Sequence, residues 1–174
     1  MSEVSFTAVM PLPETSVCSI EEQLNSNLVA LAKLTHNPTD KKAIRDQIRT
    51  ISHTLEGYPD AVPDNMELQH FYADGLYGRR WGCKRGVILT TRIHTVQHLS
   101  TLSRGKIAVA STDGLRILEA GEMFVTEPGT QRVILVLEDA VFTTVHANPD
   151  NLRDPEELTA KFTIGPFEEY LEAK

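Results

Sequence analysis

The chain has 174 residues, of which 41% are hydrophobic and 24% charged, with a formal net charge of -7 at pH 7. This balance predicts a globular protein rather than a disordered one. The negative charge disfavours binding to nucleic acid or to an anionic membrane, because both require a positive field. The two cysteines have no CxxC spacing, and the chain shows neither a signal peptide nor a membrane-spanning apolar run. We therefore expect a soluble, cytoplasmic protein.

The first 57 residues predict an extended arm followed by a helical hairpin. Residues 1–18 form the arm, since they contain two prolines and little periodicity. Residues 19–57 form the hairpin, with helix starts at Ser19 and at Thr39 or Asp40. Its two apolar stripes have helical spacing and comprise Leu24, Leu28, Leu31 and Leu34, then Ile44, Ile48, Ile51 and Leu55. The stripes can pack on each other, on the rest of the chain or on a partner chain.

After a linker rich in proline and aspartate at residues 58–68, the pattern changes to that of a β-protein. Short apolar runs alternate with turn signals over residues 69–148, which predicts a β-sandwich or barrel. The predicted strands are 69–73, 76–83, 86–94, 98–103, 106–111, 115–119, 122–126, 131–137 and 140–146. Arg104-Gly105 and Glu138-Asp139 are among the turn candidates. Residues 149–174 form a tail with short helical segments, the first near Pro155–Ala160 with Asp154 as its cap.

The run that begins at Gly86 resembles the first sequence block of the cupin superfamily of RmlC-like jelly-roll barrels. In that family the block contains a glycine, a His-x-His pair, a glutamate and a second glycine. Here His94 falls on the second histidine, His98 on the glutamate and Gly105 on the second glycine, whereas Arg92 occupies the position of the first histidine. The resemblance implies a single double-stranded β-helix barrel, so the expected fold class is mainly β with an N-terminal helical hairpin.

The second cupin block is also similar, and it too has lost a histidine. The glycine at Gly121 and the turn Pro128-Gly129 match the family pattern, and Arg132 stands where the family has a histidine. The segments HFYADGLYGRRW, PGTQR and TTVH further resemble small phage-encoded cupin-like proteins of unassigned function. This resemblance implies a homo-oligomer and a phage protein of the host cytoplasm or of the virion.

The altered residues change the chemistry that the predicted pocket can support. Residues two apart on a strand share a face, so Arg92, His94 and His98 lie on one face of a regular strand. His94 and His98 would then be about 13 Å apart, and the turn that the cupin resemblance implies between them would bring them together. Arginine has no lone pair and stays protonated, so Arg92 and Arg132 disfavour a cation and suit a carboxylate or phosphate. The ligand-binding candidates are Arg92, His94, His98 and Arg132.

Two other interpretations of these residues remain open. A divalent transition metal could be held as a cofactor by His94, His98 and His146, with His70 and Glu127 as further donors. Alternatively, all of them could be structural polar residues in a filled barrel.

No recognisable catalytic motif accompanies the predicted pocket. The sequence contains no nucleophile elbow, P-loop or GxGxxG motif, and we assign no catalytic residue. The basic, aromatic cluster of Arg79-Arg80-Trp81 with Lys84-Arg85 could contact a phosphate, but the pattern favours a solvated hairpin with Trp81 in the core. We predict a non-enzymatic cupin-like binding or assembly protein with a degenerate small-molecule pocket. The alternatives are a metal-dependent cupin enzyme, such as an isomerase or oxygenase, and a pocket that captures an anionic sugar or nucleotide.

Overall fold

A computed structural model describes residues 18–58 and 66–167 of the chain. The predicted arm, most of the predicted linker and the end of the tail lie outside these residues. The helices are α1 (Cys18–His36), α2 (Lys41–Glu56) and α3 (Pro155–Phe162). The strands are β1 (Met66–Ala73), β2 (Leu76–Cys83), β3 (Ile88–Thr90), β4 (Ile93–His94), β5 (His98–Ser111), β6 (Gly114–Glu119), β7 (Met123–Thr126), β8 (Arg132–Ala147) and β9 (Thr163–Ile164).

The helical hairpin is present as predicted and packs on the chain's own barrel. Asp40 is the N-cap of α2, where its side chain accepts a hydrogen bond of 2.9 Å from the backbone N–H of Ala43. The apolar stripes of α1 and α2 form one buried cluster, which also contains Ala110 of β5 and Val133 of β8. The sequence left three packing partners open for these stripes. The structure shows two of them together, because the helices pack on each other and on the β-domain.

Strands β5 and β8 form the centre of an antiparallel sheet that folds into two layers. β5 pairs with β7 near its start and with β6 near its end, whereas β8 pairs with β3 near its start and with β2 near its end. Because β5 and β8 also pair with each other, the two layers share these strands. The core between the layers contains Trp81, Cys83, Val87, Leu89, Leu102, Ile107, Val109, Leu118, Ile134, Val136, Ala140 and Phe142. This is the mainly β, jelly-roll architecture that was predicted.

Two predicted turns prove to be irregularities within continuous strands, so the predicted breaks at Arg104-Gly105 and Glu138-Asp139 were wrong. The register between β5 and β8 shifts three times between Leu102 and Ile107, as at a β-bulge. Gly105 has a φ of 79° there. Glycine adopts this conformation without steric cost, so it can serve a bulge as well as a turn, and the local sequence does not distinguish the two.

The outer face of one layer exposes an apolar row. Phe71, Gly78, Val145, Leu99 and Val125 are successive cross-strand neighbours on β1, β2, β8, β5 and β7. Phe71, Leu99 and Val125 are each about half exposed. In an antiparallel sheet that faces water, these positions are ordinarily polar. The homo-oligomer implied by the sequence resemblance stays a prediction.

The C-terminal tail packs on the barrel. Asp154 caps α3, as predicted, and accepts hydrogen bonds from the backbone N–H groups of Glu156 and Glu157. After α3, Thr163 and Ile164 pair with β4. Leu158 and Phe162 are buried against Tyr77 of β2. The tail thus covers one end of the barrel. In the described parts of the chain, no helix is long and apolar enough to cross a membrane.

Candidate functional site

A cavity of about 50 Å³ lies between the barrel core and α3. Trp81, Ile134 and Phe142 of the core form one side, and Leu158 and Phe162 of α3 form the other. A buried water molecule needs about 10–15 Å³ of cavity volume. The cavity therefore has room for only a few non-hydrogen atoms. The other lining residues are Tyr77, Arg79, Thr91, Arg92, His94, Arg132, Thr144, His146, Thr159 and Thr163.

Three arginines line this cavity, and none of its described lining residues is a carboxylate. Arg132 is 7% exposed, and its Nη2 donates a hydrogen bond of 2.8 Å to Thr126 Oγ1. Nε of Arg92 donates a hydrogen bond of 2.8 Å to Thr163 Oγ1. Burial lowers the pKa of Arg79 and that of Arg132, each to about 10, so both side chains stay protonated at neutral pH. The cavity therefore has a positive wall.

His94, His98 and His146 form one cluster beside the arginines. The ring centroids of His94 and His98 are 4.3 Å apart, those of His98 and His146 are 4.2 Å apart, and those of His94 and His146 are 6.2 Å apart. The first pair is close because β4 ends at His94 and β5 begins at His98, with a turn between the two strands. His146 joins them from the inner face of β8. Sequence reasoning named all three residues, and the structure brings them together.

The environment of the cluster keeps its imidazoles neutral. Burial lowers the pKa of His98 to about 4 and that of His146 to about 3. It also holds the pKa of His94 well below the usual range, with further contributions from His98 and the positive charge of Arg132. Nδ1 of His98 lies 3.2 Å from the Val96 carbonyl oxygen and donates to it, so its Nε2 carries the lone pair. At neutral pH the cluster therefore adds lone pairs and no charge to the site.

The arrangement of the three rings does not fit a divalent metal. A metal needs nitrogen lone pairs that converge on one point about 2.0–2.1 Å from each donor atom. The rings of His98 and His146 are instead stacked, with an angle of 26° between their planes. Because lone pairs lie in the ring planes, stacked rings direct them past one another. In residues 20–58 and 66–167, no three His, Cys, Asp or Glu side chains are arranged to hold a metal ion.

The two further donors named from the sequence lie away from this arrangement. Nδ1 of His70 is 2.8 Å from the hydroxyl of Tyr77. Glu127 is exposed and accepts hydrogen bonds of 3.1 Å from Nε2 of Gln97. Neither residue lines the cavity.

Sequence reasoning missed Arg79 and the residues of α3. Arg79 was predicted to belong to a solvated hairpin, yet it lies on the inner face of β2 between Tyr77 and Trp81. The alternation of side chains along a strand was a usable signal, because Arg79 and Trp81 are two residues apart. No local signal identifies Phe162 or Thr159, since their place at the cavity depends on how the tail folds back.

Comparison with known proteins gives matches at the level of structure alone. No family model matches the chain, and no curated protein matches it. KdgF from Halomonas sp. is 18% identical, with a TM-score of 0.45 over 53% of this chain and 84% of that chain. An RmlC-like cupin from Shewanella frigidimarina is 14% identical, with a TM-score of 0.43 over 52% of this chain and 79% of that chain.

A third solved structure is a cupin-2 domain of an XRE family transcriptional regulator from Enterobacter cloacae. It is 9% identical, with a TM-score of 0.43 over 49% of this chain and 98% of that domain. The second and third of these structures are named as cupins, the superfamily that the sequence resembles. The likeness spans about half of the chain and concerns its fold.

Proposed function

We propose that this chain is a cupin-like binding protein that captures a small oxyanion in the cavity between the barrel core and α3. The observation that carries the proposal is the burial of Arg132 beside a cavity whose described lining has no carboxylate. Asp113 attracts the charge of Arg132 but does not line the cavity, so among the described residues the guanidinium has no counter-ion on the cavity side, and incomplete compensation of a buried charge is costly. An oxyanion would supply that counter-ion and accept hydrogen bonds from the guanidinium group. The non-enzymatic role and the phage origin remain predictions.

The size of the cavity favours a small anion over an anionic sugar or nucleotide. Pockets for drug-sized ligands have volumes of about 300–1,000 Å³, whereas this cavity holds about 50 Å³. A carboxylate, bicarbonate or phosphate group is compatible with that volume, because each has only three to five non-hydrogen atoms. The sugar and nucleotide alternative is therefore not favoured.

The stacked histidines likewise do not favour the metal-dependent alternative. Their lone pairs do not converge on a common point, as described above. A neutral imidazole can hydrogen-bond to a ligand as well as ligate a metal. The arginines would repel a metal cation. They are therefore compatible with hydrogen bonding of the histidines to a bound anion and not with metal ligation.

Titration with small anions tests the proposal. Trp81 is the only tryptophan, it is buried, and it lines the cavity, so its fluorescence reports on occupancy. We expect acetate, phosphate or bicarbonate to change this fluorescence saturably and to raise the melting temperature. At a hundred times Kd, a ligand stabilises the folded state by about 2.7 kcal/mol.

The matched variants are Arg132→Met and Arg104→Met. Both remove one positive charge, but Arg104 is exposed and does not line the cavity. Arg132→Met should abolish the anion response, whereas Arg104→Met should keep it. A response to none of the anions in the parent protein, or an equal response in both variants, would contradict the proposed function.

A further inference from the structure

The cavity contains hydrogen-bond acceptors as well as the donors of its arginines. His94 and His146 both line it, and Nδ1 of each ring is buried without a hydrogen-bond partner among the described residues. Nε2 of His146 lies 3.3 Å from Thr144 Oγ1. When Nε2 donates to that hydroxyl, Nδ1 carries the lone pair. The site therefore offers two kinds of polar group to a single small ligand.

A buried acceptor that finds no donor is costly, so the two histidines constrain what can occupy the cavity. The other described polar side chains that line it are Tyr77, Trp81, the arginines and four threonines. Thr159 donates to the Pro155 carbonyl, and Thr163 to the Thr159 carbonyl. Thr91 Oγ1 accepts from the backbone N–H of Arg132, and Thr144 Oγ1 lies beside Nε2 of His146. Tyr77 bonds to His70. None of these groups forms a hydrogen bond with Nδ1 of His94 or of His146, so a ligand in the cavity can supply a donor to them.

When Nδ1 of both rings is unprotonated, an anion that has only acceptor atoms meets repulsion from these lone pairs. Its oxygen atoms satisfy the guanidinium of Arg132, but they leave Nδ1 of His94 and of His146 unpaired. An oxyanion with a hydroxyl group satisfies the arginine donors and an imidazole acceptor at once. Its charged oxygens accept hydrogen bonds from the arginine, and its O–H donates to the imidazole.

We infer that Nδ1 of His94 and of His146 is unprotonated, and that the cavity therefore selects oxyanions that carry their own hydroxyl donor, such as bicarbonate or hydrogen phosphate, over nitrate, sulfate and other acceptor-only anions. This inference rests on the proposed function and adds the chemical class of the ligand. Arg132 supplies attraction for the charge, and the imidazole nitrogens of His94 and His146 supply the discrimination. Recognition then depends on one proton of the ligand.

Two isosteric pairs of anions test this inference. Bicarbonate and nitrate are both planar monoanions, and hydrogen phosphate and sulfate are both tetrahedral dianions, so each pair differs mainly in one O–H group. Affinities are measured with the full chain by Trp81 fluorescence and by calorimetry at about pH 8, above the titration range of histidine. We expect the hydroxyl-bearing member of each pair to bind at least tenfold more tightly.

The variants His94→Leu and His146→Leu should reduce that preference toward unity, while the affinity for nitrate or sulfate stays within about threefold. His36→Leu is the control, because His36 is exposed on α1 and does not line the cavity. Should a cavity variant fail to fold, the comparison within each pair in the parent protein still decides the matter.

Each outcome separates the inference from the proposed function. Binding of both members of each pair with equal affinity would overturn the inference and leave the oxyanion site in place. Binding of none of the four anions would overturn the proposed function and the inference together. A preference that persists in both histidine variants would show that other groups accept the hydrogen bond from the anion's hydroxyl. This result would also overturn the inference.

Discussion

The rings of His98 and His146 are stacked with centroids 4.2 Å apart, although these residues come from β5 and from the far end of β8. Each side chain is 4% exposed. Burial of two neighbouring imidazoles favours their neutral forms, since a proton on either would be desolvated and would repel a proton on the other. The stability of the folded chain is therefore linked to pH.

We expect the free energy of unfolding to fall as the pH drops below about 6.5. Unfolded histidine titrates near that value, whereas the pKa in the folded chain is about 4 for His98 and about 3 for His146. In the interval between, the unfolded state binds more protons, so acid favours unfolding. This contribution to stability is complete above the unfolded pKa. Each histidine adds a slope of up to about 1.4 kcal/mol per pH unit.

Urea unfolding across this pH interval measures the slope. His146→Phe should reduce the slope by the contribution of about one bound proton. Phenylalanine keeps a ring in place but does not titrate. His36→Asn, on the exposed face of α1, should leave it unchanged. An identical pH dependence in the parent and in His146→Phe would show that the cluster does not govern acid stability.

Gly105→Ala should destabilise the barrel by about 2–5 kcal/mol. Its φ of 79° disfavours an L-residue, and an added Cβ would overlap with the Asp139 carbonyl oxygen and lie 2.9 Å from Ala140 Cα. Gly75→Ala is the matched control, since Gly75 has a φ of 70° but no atom within 4 Å of the added Cβ. Chemical denaturation measures the loss of stability in each variant. The difference between the two losses is the cost of the steric overlap, because both variants share the cost of a positive φ. Equal losses of stability would mean that β5 and β8 separate readily at the bulge.

Phe162→Ala should widen the range of anions that the cavity accepts. Phe162 is 4% exposed and stacks on His146 with centroids 4.7 Å apart, on the α3 side of the cavity. Its removal costs about 3–5 kcal/mol of stability, but it opens space toward α3. We expect succinate to bind to this variant and not to the parent, by calorimetry.

Leu55→Ala controls for the loss of stability in that experiment. Leu55 is fully buried in the hairpin cluster, away from the cavity, so its truncation should destabilise by a comparable 2–5 kcal/mol. Its range of bound anions should match that of the parent. Failure of Phe162→Ala to bind succinate, in a variant that remains folded, would indicate that α3 does not set the size limit.

Divalent Zn, Mn, Fe or Ni ions should not raise the melting temperature, and EDTA should not lower it. The reason is that the stacked rings of His98 and His146 do not direct their lone pairs to one point. Elemental analysis of protein purified without a histidine tag provides the second measurement. About one equivalent of metal in the parent, lost in His94→Ala/His98→Ala, would contradict the arrangement of rings described above.

Local sequence patterns were sufficient to determine the helical hairpin and most strands, whereas the proximity of His94 and His98 followed only from the turn that the cupin resemblance implies. The stripe from Ile44 to Leu55 has helical spacing, and Asp40 and Asp154 cap helices where short-range hydrogen bonding predicts them. These features depend on interactions between near neighbours in the chain, which periodicity and turn chemistry report directly.

Only the tertiary structure decided how the cavity is assembled. His146 reaches His98 through the register of β8 against β5, and Phe162 reaches His146 because the tail folds back over the barrel. The continuity of β5 through Gly105 likewise depends on pairing with β8. Such relationships are set by the pairing of distant strands and by burial of their shared faces. A residue's local sequence is the same whichever distant strand lies beside it, so the sequence by itself determined the elements, and long-range packing determined the site.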